Sequence, residues 1–388
     1  MVEILVRYGE LGLKSSPVRK FMENILAKNI KTNLIKHGVT NPRVLIRRSW
    51  GRLIVSVDSQ NLTEKASAEL TEKIVSILSG TVFGITSVSP VIRTSSSLND
   101  LFATTVAFTK NRLPPYSTFA VRARRVGKHS YTSIELEQKV GEKILEALKD
   151  RLQLSVNLSN PDYTLSIEVR DDSAFIFDRK IQGFGGLPQG TQGRVASILR
   201  GSVADAVAGF LLCKRGVISI PVAFKLSSEE ENGGNTREIE KQLEVYKAFH
   251  PKKKHVYSEV HFSPILEAIG YDRLQCSTCD KVCLAIVEKI VEEKNIAGIT
   301  LGNAPGTLSD RTPKTSTINN SLPIYYPLIA LHQEEINHPF KSHKDGFCLS
   351  TCPGFSNEKK KEVMPPSQEE LAVIVAKAGS SNITSKDF

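Results

Sequence analysis

The sequence predicts α+β architecture at the front of the chain and α/β architecture at the back, and three observations carry this. A chain of 388 residues holds two or three domains, each long enough to bury its own core. Up to Phe177, short alternating apolar runs are interleaved with amphipathic helical patterns, as in split α+β units. From Gly183 to Gly216 a glycine-rich loop leads into an apolar run, a turn at Arg200-Gly201-Ser202, and Val203, Val207, Phe210 and Leu211 at helical spacing. A strand feeding a helix through such a turn presents backbone N–H groups and a positive dipole end, where anions bind.

Element by element, Val2 to Tyr8 alternates as a half-buried strand ending at Gly9, and a helix follows with Phe21, Ile25 and Ile30 apolar. Val44–Ile46 and Leu53–Val57 are strands joined by a turn, Arg47 to Arg52, that carries Trp50; a small ferredoxin-like domain fits this segment. With Arg7 and Lys14 the turn forms a basic cluster, either an RNA-facing surface or a solvated hairpin. Asn61 to Gly80 reads as helix, Val82 to Val88 as strand, and Leu98 to Asn111 as helix before Leu113-Pro114-Pro115. In the strand Phe119 to Arg125, apolar positions alternate with Arg122 and Arg124. Those arginines and Arg125 suit phosphate contacts, or else pair with Glu135 or Glu137. Gly127 to Ser133 leads into the helix Ile134 to Leu148, and Leu165–Val169 and Ser173–Phe177 form a hairpin. Thr236 to Phe249 is a further helix, after a turn at Glu229 to Gly234.

Apolar residues at 40% and charged residues at 24% are ordinary for a globular protein. The excess of 51 Lys+Arg over 41 Asp+Glu permits a polyanionic partner. No apolar run is long enough to span a bilayer, and Met1-Val2-Glu3 opens a strand rather than a signal peptide, so no membrane association and a cytoplasmic location are expected. Five of the six cysteines fall between Cys276 and Cys352, unlike a secreted disulfide framework. Cys276 and Cys279 form a CxxC, Cys283 follows one helical turn on, and Cys348 and Cys352 are four apart. Three readings stand: thiolate ligands (Cys276, Cys279, Cys348, Cys352) for zinc or an iron–sulfur cluster, a thiol or persulfide pair, or reduced buried cysteines. The last best suits Cys213.

Arg7-Tyr8-Gly9-Glu10 with Leu13-Lys14, Val121 to His129, Asn160-Pro161-Asp162 and Gly185 to Gly193 resemble, in order, the tRNA 4-thiouridine synthetase (ThiI) family, and the likeness runs through nearly the whole chain. It implies a ferredoxin-like domain over 1–58, a THUMP RNA-binding domain over 59–178 and a parallel-sheet PP-loop ATP-pyrophosphatase domain over 179–388. It also implies tRNA binding by the first two, with Arg7, Lys14, Arg122, Arg124, Arg125, Lys128 and His129 as contacts. In family members the third domain adenylates a tRNA uridine at position 8 and exchanges its oxygen for sulfur. ATP with Mg2+, a sulfide or persulfide donor and a homodimer belong to the same implication. So does a sulfur-handling role for Cys276, Cys279, Cys348 and Cys352, because the chain resembles members that lack a rhodanese domain.

The nucleotide site departs from that pattern. A PP-loop reads SGGxDS, in which small residues let N–H groups approach pyrophosphate while hydroxyl and carboxylate organise phosphate and magnesium. Here the aligned residues are Arg200-Gly201-Ser202-Val203-Ala204-Asp205, and Gly201 alone matches. The second nucleotide loop, GESLGQVASQT in the family, is matched at Gly302, Gly306 and Thr312, while Arg311 replaces a glutamine; ahead of the preceding helix, Asp280 replaces an arginine of the family. The resemblance also assigns Ile198, Leu199, Phe224 and Lys225 to this site. Arg200 either clamps phosphate or fills the pocket, and Asp205 is within helical reach of a metal. The combined changes favour loss or strong weakening of adenylation.

Overall fold

The computed structural model describes residues 1–47, 51–226, 235–252, 256–270, 276–291, 295–303, 322–331, 367–377 and 382–387. They divide into two units, Met1–Gly186 and Leu187–Phe388. The expected turn residues Arg48 to Trp50 and Glu229 to Gly234 lie outside the described residues.

In the first unit β1 (Val2–Arg7) is buried on both faces because it lies inside a sheet, paired antiparallel with β3 (Arg52–Val57) and with β4 (Ser87–Ser95). β2 (Arg43–Arg47) closes the hairpin with β3. Helix α1 (Ser16–Lys36), entered through Pro17, packs on β2, and α2 (Glu64–Thr81) packs on α1, β1 and β4. The Thr63 side chain caps α2 by accepting from the Ala66 N–H.

The strand expected over Val82 to Val88 instead begins at Ser87. Val82, Phe83 and Ile85 are buried, but they belong to a turn in which Gly84 takes φ +96° and donates its N–H to the Gly185 carbonyl. β4 then does double service. Ser87 to Val91 pairs with β1, and Ile92 to Ser95 pairs with β8 (Ser173–Phe177). One nine-stranded sheet results, in the order β2-β3-β1-β4-β8-β7-β5-β6, with β9 (Ile181–Gln182) on β4.

β5 (Thr118–Val126) lies parallel to β6 (Ser155–Val156) and β7 (Tyr163–Arg170). Helices α3 (Leu98–Thr109) and α4 (Ser133–Leu152) pack on each other, α3 against β4 and β8 and α4 against β5. Thr132 and Glu135 form a capping box on α4. Leu101, Phe108, Val121, Val140, Ile144 and Ile167 are among the residues of the core between these helices and the sheet.

A buried ion cluster ties three strands of this sheet. Glu168 on β7 accepts from Arg7 on β1 (2.8 Å), Arg52 on β3 (3.1 Å) and neighbouring Arg170 (2.9 Å). Burial alone would raise the Glu168 carboxyl, but Arg7, Arg52 and the hydrogen bonds outweigh it and hold it down at about 2, against an ordinary 4.5. A lowered folded value stabilises the protein fully above the unfolded value, and that stability disappears as pH falls from about 4.5 towards 2. The expected contribution is on the order of 3 kcal/mol. Thermal melts of wild type and Glu168→Gln across this window check it: the wild-type midpoint of the first unit falls steeply, and that of the variant starts lower and falls less.

The described residues of the second unit form a six-stranded sheet, in the order β14-β13-β10-β11-β12-β15, with helices packed on it. β10 (Arg194–Leu199), β11 (Ile218–Lys225), β12 (Val256–His261), β13 (Ile299–Thr300) and β14 (Ile324–Tyr325) run parallel, and β15 (Ile383–Asp387) pairs antiparallel with β12. Among the described residues its helices are α5 (Val203–Lys214), α6 (Thr236–Phe249), α7 (Ser263–Ile269), α8 (Cys276–Val291) and α9 (Gln368–Lys377). The chain leaves β10 towards β11 on one side, while β13 pairs on the other. The carboxyl ends of β10 and β13 therefore flank a topological switch point, where open parallel sheets place their ligands. Among the described residues no helix is long and apolar enough to cross a membrane.

Candidate nucleotide nest and RNA-facing strand

At the switch point β10 ends on Leu199, and Gly201 takes φ +92° to turn the chain into α5. Ser202 caps α5, its Oγ accepting from the Asp205 N–H at 3.1 Å. Gly302, just past β13, packs so closely on α5 that a Cβ there would lie 2.3 Å from the Asp205 nitrogen, so only glycine fits. Asn235 fastens the opposite side: its Nδ2 donates to the carbonyls of Arg200 and Phe224, both at 2.8 Å, and its Oδ1 accepts from the Leu226 N–H. Gln242 of α6 donates to the Ser202 carbonyl.

Into this frame the chain places an ion cluster. Arg200 is 4% exposed. Its Nε and Nη2 donate to the two carboxylate oxygens of Asp205 at 3.0 and 2.9 Å, and its Nη1 donates to Asp280 of α8. Asp205 also accepts from the backbone N–H groups of Arg200 (3.2 Å) and Gly302 (3.1 Å). The second oxygen of Asp280 accepts from Asn303 at 2.7 Å. Burial works to lower the guanidinium, but Asp205 and Asp280 outweigh it and hold Arg200 charged, well above its ordinary value.

Of the two roles open to Arg200, the described arrangement is the filled pocket. The fork that would grip a phosphate is turned onto Asp205, and the carboxylate expected to reach a metal is engaged by Arg200 and Gly302. The side chains of Ile198, Leu199 and Phe224 lie in the core, and Lys225 is held by Glu259 at 3.1 Å and Glu240 at 3.6 Å. Gly306 and Arg311 lie outside the described residues. Sequence reasoning missed Asn235 and Gln242. Their only signal is a polar side chain at the start and on the buried face of a helix that follows a parallel strand.

Cys276 opens α8, and Cys279 and Cys283 follow on its buried side. Burial, with a hydrogen bond to Cys279, pushes the Cys283 thiol well above its ordinary value. Cys213, fully buried on α5, is pushed up to about 12 by burial, which disfavours its thiolate. Cys348 and Cys352 lie outside the described residues. Among the described residues no three His, Cys, Asp or Glu side chains gather as a metal site.

The basic face of the first unit is built on β5. Val121 and Ala123 point into the core, so Arg122 and Arg124 project together from the other face, both exposed. Arg125 is half-buried on the core side. Neither expected partner holds Arg122 or Arg124 in a described ion pair: Glu135 serves the α4 capping box and feels the charge of Arg125, and Glu137 accepts from the Ala123 N–H at 2.7 Å. Arg122 rests on the Leu158 carbonyl. Lys14 and Lys128 are exposed, and His129 stacks on Tyr131. Arg7 corrects the expectation of an exposed contact, since it is 6% exposed and spent on Glu168 and Ser89. A cavity of about 640 Å³ collects Arg52, Arg122, Arg124, Arg179 and Lys180 around this cluster. Arg179 and Lys180 had no sequence signal beyond charge.

Comparison with known proteins agrees with this layout. The ThiI ferredoxin-like domain family matches residues 3–89, the THUMP domain family 95–178, and the family described as thiamine biosynthesis protein (ThiI) 190–342. A probable tRNA sulfurtransferase of Methanocaldococcus jannaschii is 33% identical over 348 residues, covering 86% of each chain. One of Thermococcus kodakarensis is 33% identical over 362 residues, covering 90% of this chain and 89% of its own. Among solved structures, PH1313 from Pyrococcus horikoshii superposes with a TM-score of 0.67 at 29% identity, over 88% of this chain and 99% of its own. A 4-thiouridine synthetase solved with RNA and bound ATP has the same fold, with a TM-score of 0.74 at 24% identity over 100% of both chains. The chain belongs to the ThiI family of tRNA sulfurtransferases.

Proposed function

We propose that this protein binds tRNA through its Met1–Gly186 unit and takes part in thiolating a tRNA uridine, at position 8 by family pattern, to 4-thiouridine. The observation that carries the reading is the exposed Arg122–Arg124 face of β5 within the THUMP-matching segment, beside a cavity lined by further cations. Its relatives named probable tRNA sulfurtransferases support it. In this reading Cys276, Cys279, Cys348 and Cys352 are the sulfur-handling group, as persulfide carriers or as ligands of zinc or an iron–sulfur cluster. A persulfide donor passes its outer sulfur to a carrier thiolate and leaves as a thiol, whereas sulfide as donor belongs with the metal-ligated form. ATP with Mg2+ is the family's activating pair, and a homodimer is its assembly. The test is 4-thiouridine in tRNA from a deletion strain: its loss, restored by the wild-type gene, is expected, and an unchanged level overturns the reading.

One observation favours a second reading, a tRNA-binding protein that no longer adenylates. Arg200 lies in the loop where the family holds phosphate, bonded to Asp205 and Asp280.

A further inference from the structure

We infer that the phosphate nest at the head of β10 is occupied by the chain's own Arg200–Asp205 ion pair, and that the second unit does not take ATP there. The inference borrows from the family reading only the identity of the nucleotide.

A nest that holds a triphosphate needs free backbone donors, room for the phosphates, and positive charge or a metal facing them. Three of the donors are taken. Arg200 N–H and Gly302 N–H both point at the Asp205 carboxylate, and the Asp205 N–H is bound to Ser202 Oγ. Asp205 thus stands where an anion would be, an internal carboxylate in the place of a phosphate. The room is taken by the Arg200 side chain, 5% exposed and gripped by two acids. The charge has the wrong sign, since one guanidinium against Asp205 and Asp280 leaves a net −1 facing a polyanion. The acids are themselves engaged: each oxygen of Asp205 and of Asp280 already accepts a hydrogen bond from Arg200, Gly302 or Asn303, so a magnesium ion would have to compete with the guanidinium for them.

Entry of a triphosphate would require the Arg200 fork to leave, which strips the buried Asp205 and the partly buried Asp280 of their cation. The substitutions are mutually consistent. Arginine at 200 is tolerated because aspartate stands at 205, and aspartate at 280 completes the coordination of the fork. The N–H groups that would otherwise be orphaned at the strand end and at Gly302 are satisfied.

The test uses the full-length protein. Titration with ATP and MgCl2 by calorimetry, and with a fluorescent ATP analogue, is expected to give no saturable binding up to millimolar concentration, while the same sample binds tRNA. Saturable binding with a Kd in the micromolar range overturns the inference. In a second arm the cluster is removed together (Arg200→Ser, Asp205→Ser, Asp280→Asn), and folding is verified by circular dichroism. A folded variant that gains ATP affinity at least tenfold supports the assignment of the block to this pair, and one that gains none overturns it. If the variant does not fold, the wild-type titration still decides. ATP binding reads the nest alone, whereas 4-thiouridine in a deletion strain reads the proposed function, so the two ideas fail separately.

Discussion

Arg200→Ala lowers the stability of the Leu187–Phe388 unit by about 3–5 kcal/mol, the range expected when one partner of a buried ion pair is removed. The fork binds Asp205 through two parallel hydrogen bonds and Asp280 through a third; Arg200 and Asp205 are buried and Asp280 is partly so. Truncation leaves both carboxylates without their cation and opens space among α5, α8 and the residues after β13. For a unit of this size that is a fall of roughly 10 °C or more in thermal midpoint. Arg200→Lys keeps the charge but loses the planar fork, so its loss should be intermediate. Denaturant unfolding followed separately for the two units provides the measurement. A shift below about 1 kcal/mol for Arg200→Ala would contradict the structural role given to this residue. The sign also distinguishes the two roles first open to Arg200: a phosphate clamp removed from an empty loop costs little stability.

How far the sequence could be read depended on whether a property is local. The βα unit at Arg194 to Lys214, the α6 helix at Thr236 to Phe249, and the alternation of Val121, Arg122, Ala123 and Arg124 are written in period and spacing, and they appear where expected. The degenerate loop was equally visible, because four of its defining positions carry the wrong side chain. What Arg200 does was not visible, because its acids lie five residues away on the next helix and 80 residues away on α8. The same limit misplaced Arg7. Its neighbours in sequence suggest a basic surface, while Glu168, its partner, is 161 residues distant. Likewise β4 lies further along the chain than the apolar run suggests, because the apolar residues that precede Ser87 are buried by a turn rather than by a ladder. Charged side chains in this chain are exposed or buried according to long-range pairing, which periodicity does not encode.

That distinction sharpens the expected behaviour of the basic strand. Replacing Arg122 and Arg124 with alanine should weaken tRNA binding by about 10- to 100-fold near 0.1 M salt, and adding Arg125→Ala should change it little further. The two arginines leave the same face of β5 one pleat apart, so both can reach one phosphate run, whereas Arg125 is half-buried on the core side. Each lost phosphate contact releases fewer counterions, so the slope of log K against log salt should become shallower by roughly 1.5 in the double variant. Arg7→Ala is the contrasting case. Its guanidinium is bonded to Glu168 and Ser89 inside the sheet, so its removal should lower the melting point of the first unit and leave the salt slope unchanged. Filter binding of tRNA at several salt concentrations, on variants shown by melting to be folded, separates these outcomes. An unaltered slope in the Arg122/Arg124 variant would remove β5 from the interface. A changed slope for Arg7→Ala would mean that the ion cluster opens when RNA binds, because only then would its guanidinium reach a phosphate.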